Sequence, residues 1–195
     1  MYNKIYFNHG TMFSGKTLKL ISTAKTYMYN NRNILILKPS EDTRDINIKS
    51  RMSSIELEAI TITKEIGKDL YNYIKNNYCD KHIDIILIDE VQFFSVEAIE
   101  QLNDLSRIAP IMCCGLKTSY TGELFPSIAK LLTIAEDIQE VKTTCRYCEK
   151  KATHNLLLRN GQPLYNGNMV NIEGEHDIDE YVQTCRYHFY NPFDR

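Results

Sequence analysis

The sequence predicts an α/β fold, a parallel sheet flanked by helices, followed by a small C-terminal region of different build. Three observations predict it. Short runs that are apolar without alternation recur between stretches of helical periodicity, which is how strands buried on both faces read. A glycine-rich stretch, GTMFSGKT at 10–17, stands between the first such run and the first helical pattern. Near residue 143 the composition shifts to Cys, Asn, Gly, Tyr and His, and the helical period fades.

In chain order, KIYFN at 4–8 is a short β-prone run. After Thr17 the segment LKLISTAKTYMYNN carries Leu18, Ile21, Ala24, Tyr27 and Met28 at helical spacing. NILILKP at 33–39 reads as a buried strand ended by Pro39, and SEDTRDINIKSRMSS at 40–54 is polar and aperiodic, a mobile loop. A helix is expected over 65–78, a strand over IDIILIDE at 83–90, a helix over 96–108 and a buried strand over PIMCCGL at 110–116. The change of character places a domain boundary at about 142, giving units of 1–142 and 143–195. Neither an internal repeat nor a low-complexity segment interrupts this order.

The chain has 195 residues, 43% hydrophobic and 25% charged, enough for one core with a small appendage. Its formal charge of −2 argues against an extended basic surface for nucleic acid. No apolar run approaches membrane-span length and MYNKIYFNHG reads as strand and loop, so no membrane partner and a cytoplasmic setting with reduced thiols are expected.

GTMFSGKT is G-x-x-x-x-G-K-[ST], the P-loop pattern, in the strand-to-helix context it requires. Its glycines let the backbone curl so that N–H groups face phosphate oxygens, and the helix N-terminus adds positive potential. Lys16 is expected on the β- and γ-phosphates and Thr17 on Mg²⁺. In IDIILIDEVQFF, Asp89 suits the Mg²⁺ shell. Glu90 is either a solvated charge at a strand end or a base that accepts the proton of an attacking hydroxyl; its place beside Asp89 and the FF pair favours the base.

Six cysteines need an account. CRYC at 145–148 and CRYH at 185–188 offer three thiolates and an imidazole, Cys145, Cys148, Cys185 and His188. That set suits a closed tetrahedral structural Zn²⁺ site, with the long segment between the knuckles clamped as a loop. Cys113 and Cys114 lie in an apolar run and read as core thiols. Cys79, His9, His82, His154 and His176 form no pattern and read as loop or surface positions.

GTMFSGKT, DEVQFF, GLKTSY and CRYC…CRYH, in this order and over nearly the full length, resemble the thymidine kinase family of the cellular and bacterial, zinc-containing type II. The resemblance implies phosphoryl transfer from ATP with Mg²⁺ to the 5′-hydroxyl of thymidine, and of deoxyuridine, for nucleotide salvage. It implies that Glu90 is the general base, with Arg44 and Lys16 stabilising the transferred group. Gly10, Thr11, Met12, Phe13, Ser14, Gly15, Lys16 and Thr17 would hold the triphosphate, joined by Asp42, Asp89 and Gln92. Gln92 and Phe93 would line the nucleoside site, Met12 and Leu116 would meet the thymine methyl, and Tyr120 and Tyr181 would enclose the base. Met169, Val170, Asn171, Ile172 and Glu173 would offer main-chain groups to the thymine edge, from a zinc-tethered lasso that acts as a lid. A homotetramer and feedback by thymidine triphosphate are further implications.

The chain departs from the family pattern at several points. Thr11 stands where Pro is usual, Lys117 where Asp is common and Tyr120 where Phe is usual. The lasso reads IEGEHDIDEY, with Glu173 at a glycine position. Leu157 occupies the slot of a family arginine, two residues before Arg159. These bear on base selectivity. Two other readings are a zinc-containing P-loop ATPase that binds nucleic acid, and a nucleotide-binding protein with altered selectivity or weakened catalysis.

Overall fold

The structure, a computed structural model, describes residues 1–42, 47–50, 55–78, 80–169 and 179–194. Its first strand, β1 (Ile5–His9), leads through the P-loop into α1 (Lys16–Tyr29) and then β2 (Ile34–Pro39). Two short strands follow, β3 (Ile48–Lys49) and β4 (Glu56–Leu57), then β5 (Ile60–Ile62), α2 (Lys64–Lys68) and α3 (Leu70–Tyr78). β6 (Ile85–Ile88) gives way to a 3₁₀ turn at Val91–Phe93, α4 (Val96–Glu100) and α5 (Leu102–Leu105). β7 (Ile111–Gly115), α6 (Pro126–Ile134) and β8 (Asp137–Glu140) complete the larger part. β9 (His154–Arg159), β10 (Gln162–Leu164), β11 (Asp179–Thr184) and α7 (Arg186–Tyr190) form the smaller.

Six strands make a parallel sheet in the order β5-β2-β6-β7-β1-β8. The period of two along each strand sends neighbours to opposite faces, and both faces are covered. Ile86 and Ile88 of β6, Ile111 and Cys113 of β7, and Leu35 and Leu37 of β2 meet Leu70, Ile74, Ile99, Leu102, Ile128 and Leu131 from the helices on one side. Ile85, Leu87, Met112, Cys114 and Ile36 meet Leu20, Ile21 and Ala24 of α1 on the other. This explains the unalternated apolar runs. The Cys113 and Cys114 thiols are fully buried as expected, and burial pushes both well up from the ordinary range.

Several elements differ from the sequence reading. The expected helix over 65–78 is two helices, because the Gln101 side chain accepts from Tyr71 N–H at 2.9 Å and donates to the Gly67 carbonyl at 3.0 Å, satisfying the break. The helix over 96–108 likewise divides at Gln101 into α4 and α5. The expected loop at 40–54 contains β3, which pairs with β4 and buries Ile48 and Leu57 against the α1 face. Residues 117–142, unassigned from sequence, hold α6, started by Pro126 at its N-terminus, and the edge strand β8. Along α1 the inward side chains include Leu20, whereas Met28 is exposed.

The smaller part is an antiparallel sheet, β10-β9-β11. One of its faces packs Leu156, Leu158 and Val182 on Phe189 of α7. At the far end of the β9–β11 ladder, Arg159 makes two hydrogen bonds to the buried Asp179 carboxylate, at 2.9 and 2.8 Å. Arg159, the arginine nearest the family's slot, is thus committed to Asp179, and Leu157 in the slot itself is buried.

Candidate active site and metal centre

The C-terminal ends of β1, β6 and β7 lie side by side, so the segments that follow them converge on one edge of the sheet, the usual ligand edge of open parallel sheets. The P-loop follows β1. A side chain at Gly10 would press into the Val141 carbonyl and the Ser14 hydroxyl, so the loop closes only around hydrogen at that position. Gly15 caps α1 in the left-handed region, φ 88°, where glycine carries no steric cost. Phe13 also has positive φ, 59°, and its ring is exposed. Lys16 is buried and donates to the Thr11 carbonyl at 2.7 Å. The Thr11 and Ser14 hydroxyls are buried without a hydrogen-bond partner. An orphaned buried hydroxyl costs about 1–3 kcal/mol, so a loop carrying two of them suits a ligand rich in acceptors, such as a polyphosphate.

At the end of β6, the Asp89 carboxyl lies near the Thr17 hydroxyl, and Lys16 lies close enough to act on its charge. Burial pushes the Asp89 carboxyl up to about 7; the neighbouring Glu90 charge adds to the rise, while Thr17, the Glu90 backbone and Lys16 oppose it. A hydroxyl and a desolvated carboxylate form an oxygen donor pair that fits Mg²⁺. Because the folded value lies above the unfolded one, the proton stabilises the native chain. That contribution is complete below about pH 4 and is lost as the pH rises through about 7. Asp89→Asn, neutral and of the same shape, is therefore expected to raise Tm by about 4 °C or more at pH 8 and by little at pH 5. Thermal melts at both pH values test this, and an equal change at the two would refute it.

Glu90 holds a left-handed backbone, φ 48°, an uncommon conformation for a residue with a side chain. It accepts a hydrogen bond from Gln92 Nε2 at 2.6 Å. Gln92, itself buried, accepts from Leu116 N–H at 2.9 Å through its Oε1, and its backbone carbonyl accepts from the Ser127 hydroxyl at 2.7 Å. Any Cβ at Gly115 would collide with Gln92 Oε1 at 2.5 Å, so the last residue of β7 must be glycine for this chain of contacts to form. Glu90 is thereby tied through one amide to the backbone that follows β7.

Phe93, Leu116 and Met169 each pack against the large core, and Phe93 meets Phe125 edge-on at 6.1 Å. Tyr120 and Tyr181 approach edge to face at 6.4 Å. The Tyr120 hydroxyl is buried with no partner, and a Cβ at Gly167 would lie 2.5 Å from it. Asp42 sits beyond β2 and pairs with the buried Lys38 ammonium at 3.2 Å. Arg44 and Val170, Asn171, Ile172 and Glu173 lie outside the described residues, as does most of IEGEHDIDEY.

Three contributors escaped the sequence reading. Phe125 carried no signal beyond its place before Pro126. Lys38 sat in a run read only as a strand. Asn155 of β9 accepts from Met12 N–H at 2.7 Å and donates to the Thr118 carbonyl at 3.4 Å. His9 and His154 also differ from expectation: both lie on strands and are half-buried, and burial lowers their pKa values.

The expected metal ligands come together. Cys145 Sγ and Cys185 Sγ lie 3.5 and 3.4 Å from His188 Nδ1, and Cys148 Sγ lies 3.8 Å from Cys185 Sγ. All four ligand atoms fall within 4.8 Å of one another. A tetrahedron with ordinary zinc bond lengths has sulfur–sulfur edges of about 3.8 Å and sulfur–nitrogen edges of about 3.5 Å, so the cluster has the size of a zinc site. His188 Nε2 faces the Asp194 carbonyl at 3.1 Å, which fixes the ring and leaves Nδ1 for the metal. Burial raises the Cys145 thiol, but backbone N–H groups of Cys185, Tyr147 and Cys148, with His188, outweigh it and bring it down to about 7. The thiolate form that binds metal is favoured there.

Comparison with known proteins places these features in context. A family model described as Thymidine kinase matches residues 3–189. Thymidine kinases of Streptococcus agalactiae serotype Ia and Streptococcus pyogenes serotype M3 are each 35% identical over 199 residues, covering 97% of this chain and 98% of theirs. The thymidine kinase of Streptococcus pyogenes serotype M6 is 36% identical over the same span.

Proposed function

The chain belongs to the thymidine kinase family, and from that premise we propose that it transfers the γ-phosphoryl group of ATP to the 5′-hydroxyl of thymidine, producing thymidine monophosphate for nucleotide salvage. One observation carries the reading. Thr17 near Asp89, the Gln92 amide bonded to Glu90 and the Leu116 N–H bonded to Gln92 bring the P-loop, the acidic pair and the loop after β7 to one site.

In this reading the P-loop from Gly10 to Thr17 cradles the triphosphate, and Lys16 leaves the Thr11 carbonyl for the β- and γ-phosphates. Thr17 and Asp89 would hold Mg²⁺, which would supply charge neutralisation at the transferring group. Glu90 takes the proton of the thymidine 5′-hydroxyl; the oxygen bonds to the γ-phosphorus as the bond to the β–γ bridging oxygen breaks, and ADP leaves. Gln92 aims Glu90 through its 2.6 Å hydrogen bond. Arg44 and Asp42 act beside the phosphates. Phe93, Leu116 and Met12 form the thymine side of the pocket, with Tyr120 and Tyr181 about the ring and Met169, Val170, Asn171, Ile172 and Glu173 along its polar edge.

Residues 1–142 are the nucleotide-binding unit in this proposal, and residues 143–195 a zinc-binding unit, with Cys145, Cys148, Cys185 and His188 as ligands, whose lasso closes over the nucleoside. Deoxyuridine as second acceptor, thymidine triphosphate as feedback ligand, a homotetramer and a cytoplasmic location extend the proposal from family membership. Among the described residues no helix is long and apolar enough to cross a membrane.

The test is ADP release with ATP, Mg²⁺ and each deoxynucleoside in turn. Release is expected with thymidine and deoxyuridine and not with purine deoxynucleosides. Absence of any thymidine-dependent release overturns the proposal, and release stimulated by single-stranded DNA instead supports the nucleic-acid ATPase.

A further inference from the structure

The β9–β11 sheet has two faces with different tasks. Leu156, Leu158 and Val182 turn to the small core over Phe189. Alternation sends Asn155, Leu157 and Arg159 the other way, with Tyr181 and Asp179 in register beside the last two. On this second face Tyr181 meets Tyr120, and Asn155 meets the P-loop.

Asn155 is buried, with 3% of its surface exposed, yet it belongs to the smaller sheet. Its Oδ1 accepts from Met12 N–H at 2.7 Å and its Nδ2 donates to the Thr118 carbonyl at 3.4 Å. One amide thus holds the main chain of the P-loop and the main chain of the loop that carries Tyr120. The register leaves little play. Asn155 pairs with Gln183, and Thr153 N–H donates to the Thr184 carbonyl at 2.8 Å just before Cys185. The first knuckle is closed by the Thr144–Lys151 bridge, upstream of β9. The metal cluster therefore sits at one end of the ladder whose first residues reach into the phosphate site.

We propose that Asn155 is a positioning residue that fixes the P-loop main chain at Met12 from the C-terminal sheet, so that order at the metal cluster is transmitted to the phosphate site. The side chain acts through these two main-chain contacts. Its acceptor holds one loop N–H and its donor sets the spacing to the loop after β7. The kinetic consequence rests on the kinase reading; the structural consequence does not.

Amide hydrogen exchange at Met12 in the full chain decides it. Asn155→Leu, similar in size but without an acceptor, is expected to speed exchange at Met12 about tenfold, the scale of one lost hydrogen bond, with metal content unchanged. Asn155→Asp keeps an acceptor and is expected to restore protection. Stripping metal from the wild-type chain with a chelator is expected to speed the same amide and to add nothing further in Asn155→Leu. In turnover, Asn155→Leu is expected to raise the KM for ATP about tenfold with kcat changed less. Unchanged exchange at Met12 in both Asn155→Leu and the chelated wild type overturns the proposal. If Asn155→Leu loses metal or fold, Asn155→Ser reads the same amide. A chain with intact exchange coupling and no thymidine-dependent turnover would refute the kinase reading and leave this one standing.

Discussion

Glu90→Gln is expected to lower single-turnover phosphorylation of thymidine by about 10²–10⁴-fold while ATP affinity stays the same. The substitution keeps the length and shape of the side chain, and its amide oxygen can still accept the 2.6 Å hydrogen bond from Gln92. The left-handed turn at Glu90 depends on the backbone and on the buried Val91 that follows, so it is expected to persist. The capacity to take a proton is removed, together with the charge that adds to the rise at Asp89. In the proposed mechanism ATP binding belongs to the P-loop and Asp89, on the other side of the acidic pair. The checks are rapid-quench measurement of the first turnover and calorimetric titration of ATP. A rate within threefold of wild type would assign Glu90 to the bland alternative, a charge at the end of a strand. A joint loss of rate and ATP affinity would mean that Glu90 organises the phosphate site and is not the base.

Cys185→Ser is the second large effect. Cys185 is the buried member of the cluster that lies close to both Cys148, at 3.8 Å, and His188, at 3.4 Å. Structural zinc sites contribute about 10–16 kcal/mol of binding free energy at neutral pH, and much of that is folding free energy of the part they close. The smaller sheet has a short core centred on Leu156, Leu158, Val182 and Phe189, so little else holds it. Metal analysis is expected to fall from about one zinc per chain to well below that, with loss of exchange protection along β9 and β11. Thymidine kinase activity is expected to drop about 10²-fold or more, because Tyr181 and Asn155 lose their places against Tyr120 and Met12. Purified wild-type protein without metal, or Cys185→Ser with full activity and intact protection, would contradict the structural role.

Local chemistry made much of the site legible. A phosphate loop needs contiguous residues, since consecutive N–H groups must face one ligand, so GTMFSGKT announces itself. Metal knuckles need two ligands at short spacing, so CRYC and CRYH do the same. Asp89 and Glu90 stand out because two acids end an apolar run. The same logic explains the misses. β3 and β4 are two residues long and exist through each other. The break at Asp69 depends on Gln101, some thirty residues away, because periodicity in 65–78 runs straight through it. α6 and β8 lie in 117–142, a stretch to which the sequence reading assigned no element.

By itself the sequence determined the α/β class, the GTMFSGKT loop between strand and helix, the acids at a strand end, the clustered quartet of three cysteines and a histidine and, through their order, the family. Each is a property of neighbours along the chain or of a period repeated within one element. Only the tertiary structure decided that Gln92 joins Glu90 to Leu116, that Arg159 is spent on Asp179, and that Asn155 grips the P-loop from a strand 143 residues away. Such contacts depend on strand order, register and which face a residue takes. A one-residue shift in β9 would turn Asn155 from the P-loop into the small core, and no local pattern records which of the two faces looks at the site.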